Sequence, residues 1–174
     1  MINYNKIGLN IYNNFISDEE HSALIQEMTD EFSKNTTTRY INRNKVLRYG
    51  DKSMCENYHV SPTIPPNIDK ICDKLVNDGV LKYKPDTINI NEYLEGDFIG
   101  YHIDRVASGP IVTILSLNSP AKIVFTNNKE TFDLILMPKM LIQMRDSIRW
   151  HWSHSIAPVE NTRYSIVFRN KFDA

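Results

Sequence analysis

A chain of 174 residues is long enough for one domain with a proper core, and 41% hydrophobic with 24% charged residues is ordinary globular composition. A net charge of −1 carries no global signal for nucleic acid, although a local basic patch can hide in a neutral total. Apolar runs fall short of the roughly 18 residues a membrane span needs, the N-terminus MINYNKIGLN lacks a basic-then-apolar leader, and Cys55 and Cys72 make no CxxC. The expectation is a reduced, intracellular, unsecreted monomer.

The first strong element is SDEEHSALIQEMTDEFSK, residues 17–34. Ser17 with Glu20 makes a capping box, and Leu24, Met28 and Phe32 fall on one helical stripe beside Ile25. His21 reads as a solvated helix residue. Residues 35–60 are polar and irregular. Within them TTTRYINRNKVLRYG alternates loosely, as a ribbon does, and interleaves Arg39, Arg43, Lys45 and Arg48 with Tyr40 and Tyr49. Pro62, Pro65 and Pro66 punctuate the chain before a short helix, NIDKICDKLVNDG, with Ile68, Ile71, Leu75 and Val76 inward and Gly79 as its stop.

From residue 86 the period changes. DTININEYLEG, IVTILSLNS, AKIVFTNN, TFDLILMP, MLIQMRDS, IRWHWSH and RYSIVFRN are short runs rich in β-branched and aromatic residues, set apart by Gly, Pro, Asn and Ser. Close-set strands after two helices predict a β core of two sheets or a barrel, over 86–170. With no repeat, linker or low-complexity tract, one domain over 1–174 is expected.

Candidate chemistry begins at GYHIDR. In an extended chain residues i and i+2 point to the same side, so His102 and Asp104 can present an imidazole and a carboxylate to one object. Two histidines and a carboxylate on one face suit an iron(II) ion that keeps open positions. The third ligand would come from WHWSHS, where His151 and His154 face opposite sides of an extended strand; composition does not choose between them. On RYSIVFR, Arg163 and Arg169 share a face with Ser165 and Val167, while Tyr164, Ile166 and Phe168 form the apolar alternate. Their Cα atoms lie roughly 20 Å apart, and two long side chains leaning inward can clasp a short dicarboxylate. Asn91 and Tyr93 share a face of the strand leading into GYHID and could assist.

The ordered set N-x-Y, HxD, W-x-H-x-I and R-x5-R resembles the AlkB family of iron(II)- and 2-oxoglutarate-dependent dioxygenases, from about residue 43 to 170. RNKVLRYG looks like the family's nucleotide-recognition lid, KPDTININ like the stretch before its N-x-Y strand, and IVTILSLNSP like its I-x-x-L-S-L-G-S run, with Asn118 where the family has Gly. The resemblance implies a double-stranded β-helix, or jelly roll, supported by N-terminal helices. It implies that His102, Asp104 and His154 bind Fe(II), with His151 a neighbour. Arg163 and Arg169 would hold 2-oxoglutarate, assisted by Asn91 and Tyr93. Arg43, Lys45, Arg48 and Tyr49 would face the substrate from the lid (35–60), with Arg149 at the site mouth.

The implied reaction consumes O2 and 2-oxoglutarate, yields succinate and hydroxylates a C–H bond. On an N-methyl group this ends in loss of formaldehyde and repair of an alkylated RNA or DNA base. Many base-repairing members carry an acid two residues after the metal aspartate, where this chain has Val106. That departure resembles the members that hydroxylate a modified wobble uridine in tRNA. A protein or small-molecule substrate is the further alternative. The expected partner is single-stranded or flipped-out nucleic acid.

Overall fold

The computed structural model describes residues 3–35, 39–52 and 59–171. Cys55 and parts of the expected lid therefore lie outside the described residues. In chain order the elements are α1 (Tyr4–Ile7), β1 (Leu9–Tyr12), α2 (Asp18–Lys34), β2 (Lys45–Gly50), α3 (Pro66–Asn77), β3 (Thr87–Tyr93) and β4 (Ile99–His102). A 3-10 turn at Val106–Ser108 follows, then β5 (Ile111–Leu117), β6 (Ala121–Thr126), β7 (Thr131–Leu136), β8 (Leu141–Met144), α4 (Asp146–His151), β9 (Ser153–Ile156) and β10 (Arg163–Asn170).

The strands form two sheets, ordered β1-β8-β5-β10-β3-β2 and β4-β9-β6-β7. All pairings between these strands are antiparallel. From β3 onward the chain crosses repeatedly between them: β3, β5, β8 and β10 in the large sheet, β4, β6, β7 and β9 in the small one. This is the double-stranded β-helix expected from the motifs.

Two apolar layers follow from strand alternation. On the outer face of the large sheet, Leu47 and Tyr49 of β2, Ile88 and Ile90 of β3, and Ile166 and Phe168 of β10 meet Leu24, Met28 and Phe32 of α2 and Ile68, Ile71 and Leu75 of α3. Between the sheets, Val112 and Ile114 pack with Ile123, Phe125, Ile142, Trp152 and Ile156. The helices supply this outer layer because their ends are closed. Ser17 Oγ accepts from Glu20 N at 3.1 Å and Glu20 Oε2 accepts from Ser17 N at 2.8 Å. α3 starts on Pro66 with no side-chain cap of its own. Glu27 of α2 fills that role, accepting from Asn67 N at 2.9 Å and Ile68 N at 3.0 Å.

Two local expectations are corrected and one strand is added. IRWHWSH is not one strand. Asp146, at φ 50, turns the chain into the short helix α4, and β9 begins only at Ser153. β1 is a short strand beside β8 that the periodicity did not reveal. His21 is half-buried, and its Nε2 accepts from Asn118 N at 3.1 Å. Asn118 stands at φ 68, a left-handed position that Asn tolerates in place of Gly. No helix among the described residues is long and apolar enough to cross a membrane.

Candidate active site

Strand pairing builds the site. β4 and β9 are neighbours in the small sheet, and His102 sits directly opposite His154. Asp104 follows two residues after His102, in the loop beyond β4. Ligand-capable atoms of His102, Asp104 and His154 all lie within 4.8 Å of one another. The two imidazole centroids are 4.4 Å apart, and His154 Nε2 is 3.6 Å from Asp104 Oδ2. His102 Nδ1 lies 2.9 Å from Gly100 O, which fixes the ring and leaves Nε2 for the centre. Such a trio could hold a divalent cation. His151, the other candidate, ends α4 and is exposed.

The electrostatics suit a cation. Burial, with His102 adding to it, lowers the His154 pKa to about 4, so the imidazole is neutral and free to ligate near pH 7. Burial pushes the Asp104 carboxyl up, but Arg169, His154 and His102 together outweigh it and hold the group below its ordinary value. Arg169 Nη2 donates to Asp104 Oδ1 at 2.8 Å.

Behind this trio a cavity of about 70 Å³ lies between the sheets. Its floor is cross-strand pairing: Arg163 opposite Tyr93, Ser165 opposite Asn91 and Val167 opposite Asn89. Ile99, Ile114, Ile123 and Ile156 give it apolar walls. Arg163 is 1% exposed, its guanidinium lies 4.9 Å from the Tyr93 ring centroid, and Nη2 donates to Ser116 Oγ at 3.3 Å. Its Nε and Nη1, like Arg169 Nε, are buried without a hydrogen-bond partner. Burial lowers the Arg163 pKa against the favourable neighbour Tyr93. Donors left open in a dry pocket are costly unless a ligand completes them. Buried open donors and a metal-capable trio lining one cavity fit a small acid that chelates a metal. Asn91 is engaged at both ends: its Nδ2 donates to Ser165 Oγ at 3.3 Å and its Oδ1 accepts from Asn44 at 2.9 Å.

The residues expected to face the substrate divide. Arg43 is exposed and, with Arg39, Tyr40 and Ile41, borders a surface hollow. Arg48 is half-buried on β2 opposite Asn89, so it lies on the cavity side of the large sheet. The other three are corrected. Tyr49 is 3% exposed, in the layer under the helices, and its hydroxyl donates to Glu31 at 2.8 Å. Lys45 Nζ donates to Phe32 O at 3.1 Å and Asn35 O at 2.6 Å, closing the C-terminal end of α2. Arg149 is 2% exposed, and its donors are directed at main-chain carbonyls.

Sequence reasoning passed over Asn44 and Asn89, and named Ser165 only as a neighbour of Arg163 and Arg169 on one strand face. Alternation along TININEY places Asn89 on the face of Asn91 and Tyr93, so that one was legible; Asn44 reaches the site only through the pairing of β2 with β3. Arg39, read as part of the lid, is ion-paired to Glu92 and Asp97 and ties residues 39–43 to the edge of the site.

The fold, the metal-capable trio and the acid-seeking cavity define an oxygenase. The chain belongs to the 2OG-Fe(II) oxygenase superfamily, whose model matches residues 8–169. It is an oxidoreductase whose cofactors are Fe(II), 2-oxoglutarate and O2. Within the superfamily it is AlkB-like. It is 28% identical over 159 residues to the tRNA (carboxymethyluridine(34)-5-O)-methyltransferase ALKBH8 of Macaca fascicularis, a match that takes in 86% of this chain and 24% of that protein. The chain thus spans about a quarter of that relative. It is 29% identical over 182 residues to an uncharacterized protein of Acanthamoeba polyphaga mimivirus, covering 94% of this chain and 84% of the other. Among solved structures, a prolyl-4-hydroxylase of Pseudomonas putida superposes with a TM-score of 0.69 at 15% identity, over 96% of this chain and 95% of that one. The shared fold thus extends to an enzyme named for prolyl hydroxylation.

Proposed function

We propose that this oxygenase oxidises an alkyl group on an unpaired nucleic-acid base, with oxidative demethylation as the outcome when the carbon sits on a ring nitrogen. His102, Asp104 and His154 hold the iron. Arg163, stacked on Tyr93, takes the far carboxylate of 2-oxoglutarate with its open Nε and Nη1, and Asn91 and Arg169 border the same cavity. When bound, the iron and 2-oxoglutarate supply the oxidising chemistry. The chain's own residues orient the co-substrate, keep Asp104 ionised, keep His154 neutral and exclude water with the four isoleucines.

The observation that carries the nucleic-acid reading is the rim beside the site. Tyr40 is 72% exposed and Ile41 91% exposed, next to the exposed Arg43. Arg43 bridges Phe98, which immediately precedes β4 and its metal-facing histidine. Exposed aromatic faces beside arginine suit base stacking and phosphate contact. A second reading, stable hydroxylation of a modified tRNA wobble base, is favoured by Val106. That residue is 80% exposed where an acid would contact an amino group. The similarity to ALKBH8, named for a carboxymethyluridine at position 34 of tRNA, supports a tRNA substrate.

The test is succinate formation with iron(II), ascorbate and O2 across methylated and wobble-modified RNA and DNA oligonucleotides, with Asp104→Ala as the blank. Oligonucleotide mass is read in the same tubes. Loss of a methylene mass with succinate establishes demethylation; gain of one oxygen establishes hydroxylation. Succinate that no nucleic acid stimulates and no oligonucleotide mass records would reject the proposal. Removing charge at Arg43 should weaken oligonucleotide binding and flatten its salt dependence.

A further inference from the structure

We propose that Arg149 is a positioning residue of the metal centre, a buried clasp that fixes the main chain of Asp104 to the segment carrying His154. The proposal rests on the ligand assignment just given. Arg149 sits on α4, which leads directly into β9 and His154. Its guanidinium crosses to the loop after β4 and is met there by three carbonyl oxygens. Nε donates to Gly109 O at 2.9 Å, Nη1 to Asp104 O at 3.1 Å and Nη2 to Arg105 O at 2.9 Å. The guanidinium also lies over the Trp150 ring, 4.2 Å from its centroid.

These three bonds fall on a loop with little regular structure of its own. Its internal main-chain bonds are those of one 3-10 turn, Ser108 N to Arg105 O at 2.9 Å and Gly109 N to Val106 O at 3.0 Å. Ile103, Arg105, Val106 and Ala107 are exposed, so apolar packing does not pin it. Gly109 closes the loop at φ +79, where an added Cβ would meet Asn170 O of β10 at 1.6 Å. Between the strand end at His102 and that anchor, Arg149 supports the loop from the interior at three carbonyls. Asp104 is thus held at both ends, by Arg149 at its carbonyl and by Arg169 at its carboxylate. Arginine suits the place because one rigid planar fork serves three separated carbonyls; the ammonium of lysine does not span them in one plane.

Mn(II) binding to the otherwise intact protein tests the clasp, using Arg149→Lys and Arg149→Met with Asp104→Ala as the control. Melting temperatures and hydrogen exchange of amides 105–109 are read on the same samples. The expected result is Mn(II) affinity lowered about 10–100-fold in both Arg149 variants, as for other residues that orient a metal ligand. Amides 105–109 should exchange faster while β10 keeps its protection, and raised metal should restore turnover. A lower melting temperature with unchanged Mn(II) affinity overturns the proposal, since Arg149 then serves the fold alone. If the Met variant does not fold, the Lys variant decides; failure of both to fold likewise overturns a role specific to the metal centre. Native Mn(II) affinity in Asp104→Ala would instead overturn the ligand assignment, and the clasp with it.

Discussion

The two faces of the large sheet are built from the same strands yet obey opposite rules. On β10, Tyr164, Ile166 and Phe168 turn outward into the layer sealed by α2 and α3, where the apolar side chains are essentially dry. Arg163, Ser165, Val167 and Arg169 turn inward to the cavity, where Arg163 and Arg169 keep donors buried without partners. Alternation along a strand therefore separates stability from function residue by residue. The outer face gains from burial, roughly 25 cal/mol per Å² of apolar surface. The inner face holds charges whose desolvation has a cost that a ligand offsets.

That division can be broken or sharpened by mutation. The largest effect is expected at the trio. His102→Ala, Asp104→Ala and His154→Ala should each abolish succinate formation, while His151→Ala, at an exposed helix end, should keep most of it. Full activity in His154→Ala would sink the ligand assignment. Next comes Arg163→Met, which should raise the 2-oxoglutarate requirement about 100-fold or more. Its melting temperature should hold or rise, because a buried guanidinium with open donors gives way to a side chain of similar bulk. An unchanged requirement removes Arg163 from the co-substrate site. On the outer face of the same strand, Ile166→Ala should do the reverse. A loss of about 2–5 kcal/mol in denaturant unfolding is expected, with the 2-oxoglutarate requirement of the folded protein unaltered.

The smallest effect is alkaline. Burial, with Asp69 adding to it, pushes the Cys72 thiol up to about 12. Between the ordinary thiol value near 9 and that level, the unfolded chain releases this proton and the folded chain keeps it. The contribution is therefore intact below pH 9 and is lost as pH rises. The unfolding midpoint should decline from about pH 9 to 10, and less steeply in Cys72→Ala; equal slopes would mean the thiol is not held protonated by the fold.

Much of this division was readable in the sequence because alternation is a local property. RYSIVFR states both faces of β10 outright, and the capping box at Ser17 announces α2. The same rule applied to KVLRYG puts Tyr49 on the side of Leu47 and Arg48 on the side of the cavity. Reading the segment for charge and aromaticity instead gave Tyr49 to the substrate. What sequence did not reveal depends on distant partners. Lys45 closes α2 only because β2 runs past that helix end, and Glu27 caps a helix about 40 residues away. In IRWHWSH the aromatic and β-branched residues favour a strand, yet the first half is helical. Its arginine reaches the loop beyond β4, and Ile148 is buried.

The direct pairing of His102 with His154 has a consequence for how the protein is made. The two histidines are separated by β5 through β8 and α4, so their strands meet only after the intervening chain has closed. A nascent chain that has not yet delivered β9 offers a single histidine and a carboxylate, a poor match for a transition metal. On the proposed ligand assignment the metal site is complete only once β9 has docked beside β4, so metal binding would favour the finished topology over partly built alternatives.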